Sequence, residues 1–75
     1  MLTALVLLNT EIGSEAGVLR ELRRIANVEE AFLVYGVYDI ILRIKSNSMN
    51  ELKRTVTWEI RKMDHVTATQ TTIIV

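Results

Sequence analysis

Apolar and polar residues alternate along the chain with two different periods, and the changes of period predict where strands and helices begin. Residues 2–8 form a β-rich run that is apolar at both sets of alternating positions, which is typical of a central strand covered on both faces. Residues 9–13 predict a loop. From Ser14, a candidate N-cap, apolar residues recur at helical spacing as far as Ala26, so a first helix is expected there.

A hairpin is the next predicted feature. Residues 28–35 and 38–45 are two strand-like runs, and Gly36 and Val37 stand between them as a two-residue loop. A glycine at the first loop position is what a type II′ turn requires, because that position needs a positive φ. The resulting register places Asp39 at the head of a strand that is otherwise almost entirely apolar.

The hairpin register also separates the two faces of the predicted sheet. It pairs Glu30 with Arg43, which is a favourable cross-strand contact between opposite charges. One face then carries only apolar residues, namely Ala31, Leu33, Ile40, Leu42 and Ile44. The opposite face carries a mixture, namely Phe32, Val34 and Ile41 among Glu30, Asp39 and Arg43.

A second helix and a last strand complete the chain. Ser48 followed by Glu51 has the capping-box pattern, in which both side chains bond to backbone N–H groups at the start of a helix. This helix should end near residue 64 or 65 and should turn five residues inward, namely Met49, Leu52, Val56, Ile60 and Met63. Residues 66–75, rich in Thr, Ile and Val, predict the final strand.

The element order is therefore βαββαβ, in two similar βαβ halves. This order is typical of the ferredoxin-like α+β fold, a four-stranded antiparallel sheet with two helices on one face. Two helices cover only one side of such a sheet, so the opposite side would leave apolar residues in water. We therefore expect residues 1–75 to form one domain that dimerises by packing two sheets face to face.

A group of polar residues predicts a small-molecule site at the rim of this interface. Asp39 could hold an ammonium group, while the threonine hydroxyls of the last strand and backbone N–H groups at Gly36 could hold a carboxylate. Simpler interpretations stay open: Asp39 could accept bonds from nearby backbone N–H groups, and threonine favours strands in any case. Trp58 lies beside the apolar stripe of the second helix, and two roles stay open for it: packing at the edge of the stripe, or contact with a neighbouring subunit.

Composition narrows the possible functions. Nine basic and nine acidic residues give a net charge of zero, so neither a nucleic-acid nor a membrane-surface patch is indicated. The chain has no cysteine and one histidine, so we expect no disulfide, no metal and no cofactor. A chain of 75 residues without such supports favours oligomerisation. The apolar run at residues 4–8 is too short to span a membrane and lacks the features of a signal peptide, which indicates a cytoplasmic protein.

Four segments resemble the RAM domain (regulation of amino-acid metabolism), the effector-binding half of Lrp/AsnC-type transcriptional regulators. They are IANVEEA at 25–31, GVYDI at 36–40, IRKMDHV at 60–66 and TQT at 69–71, and the resemblance covers essentially the whole chain. Asp64 and His65 depart from the usual Pro-Gly before the last strand. No helix-turn-helix precedes the first strand, so we expect a stand-alone RAM domain that does not bind DNA directly.

The resemblance implies an assembly and a ligand. Domains of this family form dimers through their sheets, and the dimers often assemble into octamers or decamers that bind amino acids between dimers. Carried over by position, the ligand-binding groups are Gly36, Val37, Tyr38, Asp39, Thr69 and Thr71. The output could be altered assembly, or altered pairing with a full-length Lrp/AsnC-type regulator.

Other classes of protein are weighed against this interpretation. A small dimeric ferredoxin-like enzyme needs a proton-transfer group in a pocket, whereas this chain offers one histidine and no evident acid–base partner, so no catalytic residue is assigned. An RNA-recognition module would display aromatic and basic residues on its central strands, whereas this chain places one aromatic residue, Phe32, mid-strand on the uncovered face and has no excess of basic residues. A metal chaperone would carry a CxxC loop, and this chain has no cysteine. A ligand-free structural assembly domain remains as the alternative.

Overall fold

A computed structural model describes residues 1–74 of the chain. The elements in chain order are β1 (Leu2–Thr10), α1 (Glu15–Leu22), β2 (Val28–Leu33), β3 (Ile40–Ser46), α2 (Met49–Arg54), a π-helical continuation of α2 (Thr55–Ile60), and β4 (Val66–Ile74). This is the predicted βαββαβ order. The last residue of the predicted final strand, Val75, lies outside the described residues.

The four strands form one antiparallel sheet in the order β2-β3-β1-β4. In the hairpin, Glu30 pairs with Arg43 and Leu33 pairs with Ile40, which confirms the predicted register. Strand β1, which was predicted to be central from its long apolar run, lies between β3 and β4. The architecture is therefore the predicted ferredoxin-like α+β fold.

The hydrophobic core lies between the helices and one face of the sheet. Its buried members are Ala4, Val6, Leu8, Val18, Leu22, Ala31, Ile40, Leu42, Ile44, Leu52 and Ile60. The strand residues among them occupy alternate positions, because successive side chains of a strand point to opposite faces. Four of the five hairpin residues assigned to this face are buried, and the fifth, Leu33, is 50% exposed because it lies at the end of β2, next to the loop.

Helix α1 ends at Leu22 rather than near Ala26. Beyond that residue the backbone bonds tighten from four residues to three, as in the bond from Ile25 N–H to the carbonyl of Leu22 (3.1 Å). The Arg23 guanidinium donates to the carbonyl of Ala31 in β2 (2.8 Å). The chain therefore turns toward the hairpin earlier than its helical periodicity predicts.

The hairpin loop is wider than predicted. The last hairpin bond runs from Val34 N–H to the carbonyl of Asp39 (2.9 Å), so four residues rather than two form the loop. Gly36 does not have a positive φ, and the predicted type II′ turn is wrong. The reason is that Asp39 is bonded outside the hairpin: its N–H donates to the carbonyl of Leu8 (3.0 Å), and its carboxylate accepts from Thr10 N–H (3.0 Å).

The start of α2 agrees with its predicted cap, since the Ser48 hydroxyl accepts a hydrogen bond from Glu51 N–H (3.2 Å). Of the residues expected to face inward, Leu52 and Ile60 are buried, and Val56 and Met63 pack partly against the core. The fifth, Met49, is exposed, so that assignment is wrong. As the first helical residue it stands at the end of the apolar stripe.

The second half of α2 is wound more loosely than an α-helix. The bond from Arg61 N–H to the carbonyl of Val56 (2.9 Å) spans five residues. Thr55, at the start of this segment, is buried; its hydroxyl donates to the carbonyl of Glu51 (3.1 Å) and accepts from the side-chain amide of Asn27 (2.8 Å). A threonine that bonds back to the preceding turn often bends a helix, and here it also ties the helix to the chain before β2.

Candidate functional site

A cleft of about 420 Å³ opens beside the hairpin loop. Its lining residues are Glu15, Leu33, Val34, Tyr35, Gly36 and Asp39. The first of these stands at the start of α1, and the others belong to the end of β2, the loop and the residue before β3. We call this the hairpin cleft. It has apolar walls and two carboxylates, so it offers groups for a cation.

Asp39 is held firmly at the edge of this cleft. Its carboxylate oxygen Oδ2 accepts the hydrogen bond from Thr10 N–H, and its backbone joins β1 through Leu8. The simpler interpretation of Asp39, that it accepts a bond from a nearby backbone N–H, is therefore what the structure shows for one oxygen. A carboxylate has further acceptor sites, so Oδ1 is left for another donor.

Thr10 is a residue that the sequence interpretation missed. The residue is 8% exposed, and its hydroxyl has no hydrogen-bond partner in the described part of the chain. Covalent geometry keeps that hydroxyl close to the N–H that holds Asp39. Residues 9–13 were predicted as loop, so no pattern in the sequence placed a buried threonine beside the carboxylate.

The loop residues between Tyr35 and Tyr38 present mainly exposed surface. Gly36 lines the hairpin cleft, whereas Val37 and Tyr38 do not. Tyr35 and Val37 are exposed, and Tyr38 is half-buried. A side chain at Gly36 would meet no atom within 4 Å, so within one subunit this glycine leaves open space.

Thr69 and Thr71 lie on β4, away from the hairpin cleft. Thr69 pairs with Leu8, and Thr71 pairs with Val6, so both threonines face the side of the sheet that the helices cover. Because Leu8 also pairs with Ile40, two strand spacings, or about 10 Å, separate Thr69 from the start of β3. One subunit therefore brings Gly36 and Asp39 into one cleft, but it does not bring the two threonines to them.

The face of the sheet opposite the helices carries an apolar stripe. One row across the sheet joins Phe32, Ile41 and Leu7, and Leu5 extends the stripe into the next row. Phe32 is 49% exposed, and the other three are half-buried. We call this surface the open face. It matches the mixed face predicted from the hairpin register.

An ionic cluster borders the stripe where the pairing of β2 and β3 shifts by one residue between Val28 and Glu30. The shift allows both Glu29 and Glu30 to reach Arg43, and Glu29 also contacts Lys45 (3.0 Å). The hydrogen bond from Lys45 is the main cause that lowers the pKa of Glu29 below its usual value of 4.5, with charge attraction from Lys45 and Arg43 adding to it.

Elsewhere on the surface, Trp58 is 62% exposed and the Lys62 ammonium lies 3.6 Å from the centre of its ring. This cation–π contact covers one face of the indole.

No cluster of three metal-ligating side chains occurs within residues 1–74. None of the helices in that range is both long and apolar enough to cross a bilayer.

One known protein family matches the chain over nearly its whole length. The model of the Lrp/AsnC ligand-binding domain matches residues 3–75. A curated relative, the uncharacterised HTH-type transcriptional regulator YugG of Bacillus subtilis, is 35% identical over 57 residues. That match covers 76% of this chain and 34% of the relative, so the chain spans about a third of the length of the curated relative that it matches.

Several solved structures share the fold of this chain. The crystal structure of FFRP-DM1 is 36% identical and superposes with a TM-score of 0.97, with each chain covered completely. The hypothetical protein PHS023 from Pyrococcus horikoshii is also 36% identical, with a TM-score of 0.95 over all of this chain and 90% of the other. The longer chain of E. coli AsnC, at 20% identity, shares the fold with a TM-score of 0.91 over 97% of this chain and 50% of the other.

Proposed function

The chain belongs to the Lrp/AsnC ligand-binding domain family, and from that premise we propose that it binds a small-molecule effector, an amino acid, and assembles into oligomers that modulate transcription. It does so through or alongside Lrp/AsnC-type regulators, and it does not bind DNA itself. The observation that carries this proposal is the hairpin cleft, which joins the carboxylate of Asp39 to apolar walls in a family of ligand-binding domains.

The chemistry of the hairpin cleft suits the ammonium group of an amino acid. Oδ1 of Asp39 can accept from an ammonium while Oδ2 keeps its bond to Thr10 N–H, and this bond holds the carboxylate in place before the ligand arrives. Val34 and Leu33 offer apolar surface for a side chain. The α-carboxylate needs donors, and we assign it to backbone N–H groups from Gly36 to Tyr38.

The proposed site is completed between subunits. Thr69 and Thr71 are too far from Asp39 in one subunit, so their hydroxyls reach the ligand only if a second subunit presents them. Such a ligand stabilises the assembled state because it binds that state more tightly than it binds the separate subunits. Dimers that assemble into octamers or decamers supply the necessary contacts in this proposal.

Dimerisation is assigned to the open face. Phe32, Ile41, Leu7 and Leu5 form an apolar stripe flanked by charged and polar residues, which is the anatomy of a protein interface. Packing two such faces against each other buries the stripe of both subunits at once. The same surface could receive a full-length regulator of the family, which predicts mixed oligomers when the two proteins are co-expressed.

We propose binding rather than catalysis, and no direct contact with nucleic acid. The hairpin cleft contains carboxylates but no histidine, cysteine or lysine that would complete an acid–base or nucleophilic pair. The net charge of zero gives no attraction for a phosphate backbone.

A thermal-shift panel of the twenty amino acids at millimolar concentration tests the proposal. One or a few amino acids should raise the melting temperature in a concentration-dependent way. The Asp39→Asn variant keeps an acceptor for Thr10 N–H but loses the charge, so affinity should fall by about 10- to 100-fold, as expected for a charge-assisted hydrogen bond. Glu59→Gln, an exposed carboxylate on the second helix, is the matched control and should bind as the parent chain does.

The outcome also decides between this proposal and a ligand-free assembly domain. The bond from Thr10 N–H to Asp39 is what a purely structural role requires, so that alternative has an observation in its favour. A flat panel together with an intact oligomer supports the structural role. Effector binding that is equally tight in Asp39→Asn removes Asp39 from the site.

A further inference from the structure

A second cleft, of about 550 Å³, lies between the start of α1 and the turn that precedes β4. The lining residues that matter here are Gly13, Ser14, Gly17, Arg20, Asp64 and His65. It shares no lining residue with the hairpin cleft. We call it the helix–turn cleft.

Two glycines leave the space for this cleft. Gly13 has a φ of +89°, a conformation that other residues seldom adopt, and Gly17 faces the cleft from the first turn of α1. A Cβ at Gly17 would meet no atom within 4 Å. Glycine is a poor helix former, so its presence at position 17 costs helix stability and leaves an opening instead.

One rim of the cleft is held in place by two bonds between distant parts of the chain. The Glu11 N–H donates to the carbonyl of His65 (2.9 Å), and the Glu11 carboxylate lies 2.8 Å from Nδ1 of His65. His65 takes a positive φ of 73°, so its backbone is held in a strained turn. These contacts fix the β1–α1 loop against the turn before β4 without any bound molecule.

The cleft is lined by charges of both signs, and some of them are already paired: Glu21 contacts Arg24 (3.7 Å), and His65 is bonded to Glu11. Neither Arg20 nor Asp64 has a salt-bridge partner within residues 1–74, although both are charged and both line the cleft. The Ser14 hydroxyl occupies the N-cap position of α1 but does not cap the helix. A simple anion would be repelled by Asp64 and a simple cation by Arg20, whereas a molecule that carries both charges satisfies both.

We propose that the helix–turn cleft binds the zwitterionic end of a free α-amino acid. The Arg20 guanidinium takes the α-carboxylate through two parallel hydrogen bonds, and the Asp64 carboxylate takes the α-ammonium. Ser14 offers a further hydrogen bond. The hairpin cleft has no basic side chain among its lining residues and awaits threonines of a second subunit, whereas the helix–turn cleft offers a charged side chain for each end of the zwitterion within one subunit. It therefore binds an amino acid independently of oligomerisation and of the function proposed above.

The composition of the chain allows a direct test. The protein has three glycines: Gly13 and Gly17 line the helix–turn cleft, and Gly36 lines the hairpin cleft. Protein labelled with ¹⁵N only at glycine therefore gives three amide signals that report separately on the two clefts. Each of the twenty amino acids is titrated to millimolar concentration, and at least one should shift the Gly13 and Gly17 signals in a saturable way.

Two variants and one control locate the binding. Arg20→Gln should weaken the titration seen at Gly13 by at least about tenfold, as expected when a charge-assisted pair is lost. Gly17→Leu fills the opening and favours the helix, so it should abolish the shift at Gly13 in a folded protein. Arg54→Gln, an exposed arginine on α2, should leave the titration unchanged.

The results separate the two sites. Shifts at Gly36 alone support the hairpin cleft and overturn the helix–turn site. Shifts at Gly13 and Gly17 that Arg20→Gln weakens establish the helix–turn site, whatever happens at Gly36. Signals at Gly13 and Gly17 that respond to no amino acid, or that respond equally in Arg20→Gln, overturn it.

Discussion

The two faces of the sheet obey the same alternation of side chains, yet they end in different states. On the helix side, residues such as Leu42 are buried by α1 and α2 within one chain. On the open face, the neighbouring Ile41 remains half-exposed next to a 49% exposed Phe32. The comparison teaches that the chain completes only half of its own core, because two helices cover one face of a four-stranded sheet.

The largest expected effect follows from placing a charge in the middle of the open face. Leu7 lies in the row between Ile41 and Gln70, at the centre of the stripe. In Leu7→Glu, a buried and unpaired carboxylate would oppose the sheet-to-sheet packing. We expect Leu7→Glu to be a monomer of 8.6 kDa. A rise of the dimer Kd from micromolar to millimolar corresponds to a loss of about 4 kcal/mol in the free energy of dimerisation.

Light scattering during size-exclusion chromatography measures this mass. Thr57→Glu, an exposed position on the second helix, is the control and should keep the parent assembly. If Leu7→Glu elutes with the mass of the parent protein, the open face is not the dimer interface.

Truncating neighbours on opposite faces gives the next largest effect. Leu42→Ala truncates a residue that is 1% exposed, so the free energy of unfolding should fall by about 2–5 kcal/mol at every protein concentration. Ile41→Ala removes a similar volume from the open face. The loss in free energy of unfolding that it causes should become smaller as the protein is diluted below the dimer Kd, because the side chain is then no longer buried by a second subunit. Urea unfolding over a range of protein concentrations measures both; equal, concentration-independent losses would contradict the interface.

The periodicity of the sequence was sufficient to predict which residue faces which side, but not how the hairpin ends. Alternation along β3 separates Leu42 from Ile41 because burial on one face selects apolar side chains at every second position. The loop was predicted wrongly because Asp39 is bonded to Leu8 and Thr10, about thirty residues away in sequence. No local turn pattern contains that information.

The candidate sites show the same limit. Gly36 and Asp39 were predicted together and do line one cleft, since they are close in the chain. Glu15 reaches the same cleft only because the fold brings the start of α1 to the hairpin. The burial of Thr55 was not predicted, because its hydroxyl is satisfied in part by Asn27, a residue 28 positions away that no local pattern connects with it.

The smallest expected effect concerns the charged border of the open face. The Lys45 hydrogen bond lowers the pKa of Glu29 in the folded protein below its usual value of 4.5. The folded state therefore binds a proton to Glu29 less readily than the unfolded state does. The stability that this group contributes is fully present above its usual pKa and is lost as the pH falls through the lowered, folded-state pKa.

Glu29→Gln removes this pH-dependent contribution while it keeps the size of the side chain. Near neutral pH the variant should unfold at a slightly lower urea concentration than the parent chain, and the difference should vanish once the pH is below the folded-state pKa of Glu29. The effect is small because the carboxylate is exposed and its ion pairs are screened by water. Glu59→Gln, an exposed carboxylate outside the cluster, should show no such pH-dependent difference. A difference for Glu29→Gln that persists at low pH would mean that the side chain acts by packing at the border of the open face, and not through its charge.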